Sequence, residues 1–332
     1  MTRVLSGIQP TGDIHLGNFL GALRQWAIDQ HEHDSFYCAV DLHAITVQQD
    51  PVELRSKTLE TMATLVAVGL DPEVCTLFVQ SHVPFHTELS WLLECTVSFG
   101  ELRRMTQFKD KSVKQGDAGQ EHVSAGLFTY PALMAADILI YDADRVPVGD
   151  DQRQHLELTR DVAERFNSRY GETFTLPAAA IQKIAARVMD LQEPTNKMSK
   201  SSESPMGTVG IFEDTTSIAK KLKRAVTDSE NEVRFDFDTK PGVSNLLSIL
   251  GAATGRNPET LADEYHQYGP LKNDTAEAII NVLEPVQRRR AELLADPAEL
   301  DRIIARGAGK ASEVAAVTVQ RAKDAMGFLP SS

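Results

Sequence analysis

Short apolar runs alternate with stretches of helical periodicity through the first half of the chain. That alternation limits the folds open to it more than any other feature. Residues 3–9 (RVLSGIQ), 36–40, 76–79 (TLFV) and 145–149 (RVPVG) read as strands. After the first, Pro10, Thr11 and Gly12 break the run. Leu16, Phe19, Leu20, Leu23, Trp26 and Ala27 then recur at the three- and four-residue steps of one helix face. Asp50, Pro51 and Glu53 make a helix start of N-cap, first-turn proline and acid, and Leu59, Met62, Leu65 and Val66 supply its buried face. A helix through Trp91 and Leu92 follows the third strand, and residues 131–141 read as another, with Pro131 in its first turn. Asp150 and Asp151 lead into a helix to about residue 167. Strands alternating with helices predict an α/β fold with a mostly parallel, doubly wound sheet. Beyond about 190 the strand pattern fades, and 215–225, 244–254, 258–268, 274–295, 297–306 and 309–326 read as helices. The expected division is 1–195 and 196–332, with the last helix packing back on the first part.

With 332 residues and 42% hydrophobic content, the chain can bury the core of one large or two ordinary domains. Its net charge of −13 argues against sequence-blind binding of nucleic acid, which needs a broad positive surface. Local patches remain: Lys220, Lys221, Lys223 and Arg224, and the run Arg288-Arg289-Arg290. Either reads equally well as a solvated helix face. No apolar run approaches the ~20 residues that span a bilayer, so no membrane partner is expected. Arg3-Val4-Leu5 leads straight into the first strand, with no signal or transit pattern, which predicts a cytoplasmic protein. Cys38, Cys75 and Cys95 sit among apolar neighbours at wide spacings. That predicts free core thiols, with no metal-ligand pattern.

Four elements carry chemistry. The segment 9–18 offers helix-terminal N–H groups, Gly17 for close approach, and His15 and Asn18 as donors to an oxyanion; a plain helix cap is the alternative. Gly149-Asp150-Asp151-Gln152 ends a strand. Its carboxylates suit ribose hydroxyls, or Asp151 merely caps the next helix. Tyr130, Met134 and Asp137 fall at i, i+4 and i+7 on one helix face. An apolar pocket with one acid at its base suits a flat aromatic ligand carrying an N–H or O–H, whereas an exposed aspartate on an amphipathic helix is the alternative. Lys197-Met198-Ser199-Lys200-Ser201 is a basic, hydroxyl-bearing stretch that suits a mobile phosphate-gripping loop. Only folding brings it to His15, some 180 residues away.

Two such phosphate elements resemble the defining pair of class I aminoacyl-tRNA synthetases. His15-Leu16-Gly17-Asn18 is similar to that class's HIGH motif, and Lys197 to Ser201 matches KMSKS at every position. Residues 6–12 (SGIQPTG), 41–46 (DLHAIT), 124–137 (SAGLFTYPALMAAD), 146–155 (VPVGDDQRQH) and 225–229 (AVTDS) closely resemble the bacterial tryptophanyl-tRNA synthetases, over essentially the whole chain. The resemblance implies a Rossmann-like catalytic domain binding ATP and tryptophan, followed by a helical domain that reads the tRNA anticodon. It implies activation of L-tryptophan with ATP and transfer to tRNA(Trp), in a homodimer, with Mg²⁺ carried on the ATP phosphates and no dedicated metal site. Asp137 would accept the indole N–H, with Met134, Val146, Val148, His43 and Leu5 around the ring, and Tyr130 and Gln152 at the polar end. Gln9, Pro10, Thr11, His15, Gly17, Asn18, Gly149, Asp150, Asp151 and Val188 would contact ATP, as would Met198, Ser199 and Ser201. Lys111, Lys197 and Lys200 would contact phosphates. Asn18 departs from the second HIGH histidine, though it still donates, and Leu5 stands where an aromatic residue often flanks the indole. Tyrosyl-tRNA synthetases, small nucleotidyltransferases and catalytically silent relatives are the competing classes. The acid stripe at 130–137, the large helical half and the intact lysines argue against them in turn.

Overall fold

A computed structural model describes residues 1–105, 124–148, 152–181, 188–199 and 204–330. Among these, five strands form one parallel sheet in the order β3-β2-β1-β4-β5: β1 (Arg3–Ile8), β2 (Asp34–Ala39), β3 (Thr76–Val79), β4 (Arg145–Val148) and β5 (Ala178–Ile181). The chain builds outward from β1 through β2 to β3, then crosses back and places β4 against the other side of β1, where Val4 pairs with Arg145. This reversal is the topological switch point at which open α/β sheets bind ligands.

Both sheet faces are buried, as parallel pairing requires. Successive side chains in a strand point to opposite faces. So Tyr37 and Leu77 join one hydrophobic cluster, while Phe36, Cys38 and Phe78 join the other. The first cluster runs continuously from Leu16 and Met62 to Leu246 and Ile279, across the expected division at 195/196.

Three helices depart from the sequence reading. The helix carrying Asp137 starts earlier, at Ala125, and ends at Leu139; Ser124 caps it by accepting from the Leu127 N–H at 3.1 Å. Pro131 therefore lies inside it, and the 130/134/137 stripe survives because spacing sets the face. Residues 258–268 do not form one helix: Pro258–Ala262 ends early, and Tyr268–Ala295 begins where the loop closes. The final helix is a single element, Pro297–Met326, uninterrupted at Gly307-Ala308-Gly309. It packs on β3 and the helix Phe85–Glu94, covering a strand edge that would otherwise be open to other chains. Asp50 caps Pro51–Ala67 as expected, through Val52 and Glu53 N–H, but Leu59 is exposed while Met62 and Leu65 are buried. Cys38 and Cys75 are buried free thiols, whereas Cys95 is exposed.

Candidate active site

At the carboxyl ends of β1, β2 and β4 lies a cavity of about 370 Å³. Leu5, Gln9, His43, Tyr130, Met134, Asp137, Val146 and Gln152 all line it. The sequence scattered these residues over 148 positions; the switch point gathers them. Val148 ends β4, next to the cavity-lining Pro147. Ser6, Gly7, Cys38 and His86 also line the cavity and were missed, since none carries a local signal beyond a strand or helix residue. Gly7 is required there, because a Cβ would stand 2.8 Å from Cγ1 of Val40.

Asp137 is 7% exposed, so the reading as a solvated surface aspartate is overturned. Its Oδ2 lies 2.7 Å from Nε2 of His43. Its Oδ1 lies 2.7 Å from Nε2 of Gln80 and 2.7 Å from Nδ1 of His86. Burial pushes the carboxyl up, but the charges and hydrogen bonds of His43 and His86 outweigh it and hold the group down at about 2. The acid is ionised and hydrogen-bonded, the condition for keeping a charge in an apolar site. Tyr130 stands edge-on to His43, with ring centroids 6.2 Å apart, and its hydroxyl shares a 2.7 Å hydrogen bond with Nε2 of His155. Burial raises the Tyr130 phenol, which stays protonated.

The two phosphate elements pack against one another. His15 and Asn18 form a reciprocal capping box: Nδ1 of His15 accepts from the Asn18 N–H, and Oδ1 of Asn18 accepts from the His15 N–H, both at 3.3 Å. The helix cap offered as the alternative reading is thus present. The helix that follows runs through a π-helical turn, Phe19–Leu23. Pro10 is buried, and the Thr11 N–H closes a turn onto the Gln9 carbonyl at 2.8 Å.

Met198 is 2% exposed and anchors the lysine loop in the same cluster as Leu16 and Ile14. Its N–H donates to the carbonyl of Val188, itself a buried core residue. The carbonyl of Ser199 accepts from Oγ1 of Thr208 at 2.8 Å, and Val209 in turn accepts from the Leu16 N–H at 2.8 Å. A Cβ on Gly17 would stand 3.0 Å from the His15 ring and 3.7 Å from Cβ of Met198. The described part of the loop is therefore pinned at Met198, with Lys197 exposed beside it. Met198→Ala is expected to destabilise the fold by about 3 kcal/mol. Urea unfolding checks this, and a loss below about 1 kcal/mol would show that the side chain is not clasped.

Lys111, Gly149, Asp150, Asp151, Lys200 and Ser201 lie outside the described residues. Of the two basic patches, Arg288–Arg290 is largely spent inside the protein. Arg289 pairs with Glu299 at 2.6 Å, and Arg290 pairs with Glu60 at 2.9 Å and stacks over Phe212. Lys221 likewise pairs with Glu213 at 2.6 Å, leaving Lys220, Lys223 and Arg224 on the exposed face of the helix Thr215–Lys223 and its cap. Among the described residues, no His, Cys, Asp or Glu cluster could hold a metal ion, and no helix is long and apolar enough to cross a membrane.

A family model described as tRNA synthetases class I (W and Y) matches residues 1–284. A tryptophan–tRNA ligase of Streptomyces avermitilis is 55% identical over 332 residues, covering 99% of this chain and 98% of the relative. One from Mycobacterium leprae is 52% identical over 336 residues, covering 99% and 97%. The crystal structure of tryptophanyl-tRNA synthetase from Mycoplasma pneumoniae superposes with a TM-score of 0.91 at 38% identity, covering 99% of this chain and 98% of that one. The Campylobacter jejuni enzyme, complexed with ADP and tryptophan, gives 0.82 at 34% identity, covering 98% and 100%. A gathered acid-based cavity, two phosphate motifs in contact and this whole-chain likeness agree: the chain belongs to the class I tRNA synthetase family of the tryptophan and tyrosine enzymes.

Proposed function

We propose that the chain joins L-tryptophan to ATP, giving tryptophanyl-adenylate and pyrophosphate, and then passes tryptophan to the 3′ end of tRNA(Trp). The observation that carries this is Asp137: a buried, ionised carboxylate at the base of an apolar cavity, in a chain whose two phosphate motifs pack together at Gly17 and Met198. The named relatives, at 55% and 52% identity, support it.

In this reading the tryptophan carboxylate attacks the α-phosphorus in line, and pyrophosphate leaves. No side-chain nucleophile is needed, because positioning and charge neutralisation suffice. Asp137 accepts the indole N–H, with Leu5, Met134, Val146, Val148 and His43 around the ring and Tyr130 and Gln152 toward the polar end. Gln9, Pro10, Thr11, Gly17, Asn18, Gly149 to Asp151 and Val188 surround the nucleotide. The capping box holds the His15 ring, and Lys111, Lys197 and Lys200 neutralise the departing pyrophosphate. ATP enters as its Mg²⁺ complex. Residues 1–195 form the catalytic unit and 196–332 the tRNA-reading unit, in a cytoplasmic homodimer. An exposed apolar groove lined by Leu42, Ile45, Trp91 and Leu133 supports the dimer.

Amino-acid-dependent pyrophosphate exchange by the purified chain tests the reading. Exchange is expected with tryptophan and at least about 10³-fold less with phenylalanine, which leaves the buried acceptor unpaired. Exchange driven by tyrosine would assign the other branch of the family, and none with any amino acid would indicate a silent relative.

A further inference from the structure

The donors around Asp137 carry more information than its burial. Oδ1 accepts from two of them, the Gln80 amide and Nδ1 of His86. Gln80 cannot turn over, because its Oε1 is held by the Leu42 N–H at 3.1 Å, which leaves the NH₂ group facing Asp137. An ionised carboxylate only accepts, so Nδ1 of His86 carries a proton. Its Nε2 stands 2.7 Å from the Tyr141 hydroxyl, so the ring is held from both sides. The Tyr141 ring is fixed independently of its hydroxyl, stacked on Phe36 at 4.8 Å and edge-on to Phe78 at 5.5 Å. Both lone-pair directions of Oδ1 are therefore filled. Among the described residues, Oδ2 accepts only from His43, which leaves one direction open.

We propose that Gln80, His86 and Tyr141 are a positioning relay, which saturates Oδ1 of Asp137 and so makes Oδ2 the single acceptor for a ring N–H. The relay rests on the reading of the cavity as a tryptophan site. It makes preference for an N–H-bearing ring depend on residues that need not touch the ligand. Without the His86 donor, the carboxylate loses a fixed orientation and Oδ1 competes with Oδ2.

The test uses the full chain in pyrophosphate exchange. KM and kcat are measured for tryptophan, and the inhibition constant for β-(benzothiophen-3-yl)alanine, its sulfur isostere without the N–H. His86→Leu is expected to raise KM for tryptophan by about tenfold, leaving kcat and the isostere's inhibition constant near wild type. His86→Asn, which returns an N–H toward Oδ1, is expected to recover most of the preference. Tyr141→Phe keeps the packed ring and is expected to lose about threefold. A merely structural role would weaken both compounds together and would not be rescued by asparagine; that pattern overturns the relay, as does an unchanged preference in His86→Leu. Should His86→Leu not fold, an unchanged preference in Tyr141→Phe is decisive against it. Wild-type protein with no tryptophan-dependent exchange would instead overturn the reading of the cavity.

Discussion

Asp137→Ala is expected to lower kcat/KM for tryptophan-dependent exchange by on the order of 10³-fold or more, and to destabilise the fold by about 3 kcal/mol. The two effects share a cause. The substitution removes the acceptor for the ligand and also orphans the buried donors of His43, Gln80 and His86. Asp137→Asn separates them in part, since one amide oxygen can serve only some of these donors. Exchange kinetics and denaturant unfolding together read the result, and a variant with wild-type kinetics would remove Asp137 from substrate recognition. The acid dependence has a definite sign. The folded carboxyl is held at about 2, below its ordinary value of ~3.9. Its contribution to stability is therefore complete above about pH 4 and is lost as pH falls toward 2.

Gly307→Ala is expected to cost more than about 4 kcal/mol, enough to undock the last helix. A Cβ at this position would overlap the carbonyl oxygen of Leu77 and stand 2.6 Å from its carbon, and a backbone inside a paired strand cannot withdraw. Two positions on, a Cβ at Gly309 would meet nothing within 4 Å. Gly309→Ala should thus be neutral or gain up to about 1 kcal/mol from helix propensity. Thermal or urea unfolding of the pair decides the matter, and equal stabilities would show that the helix does not rest on β3 at Gly307. The same glycine explains how one helix serves both cores. Leu300 and Ile304 pack in the first cluster and Ala311, Ala315 and Val319 in the second, with the crossing over the sheet edge between them.

Four strands were legible because fully buried parallel strands are short apolar runs. The fifth was not. Ala178-Ala179-Ala180 has weak strand propensity, and it is a strand because β4 offers it a partner. The last helix read as two, 297–306 and 309–326, for a similar reason: local propensity counts glycine against a helix, while close packing demands it at Gly307. The arginine run looked like a free patch because its partners, Glu60 and Glu299, lie far away or on a neighbouring helix. The described end of the lysine loop is held by Met198, whose burial no polar pentapeptide advertises.

By itself the sequence determined the parallel α/β order, the face shared by Tyr130, Met134 and Asp137, and both phosphate motifs, because strand length, helical spacing and residue chemistry act locally. Only the tertiary structure decided how Asp137 is held. Gln80 follows β3, His86 opens the next helix and Tyr141 follows the helix that carries the acid, and none has a spacing that ties it to the others. They meet because the sheet reverses at β1 and packs their elements together. A buried charge at that meeting point must then draw donors from whichever segments surround it.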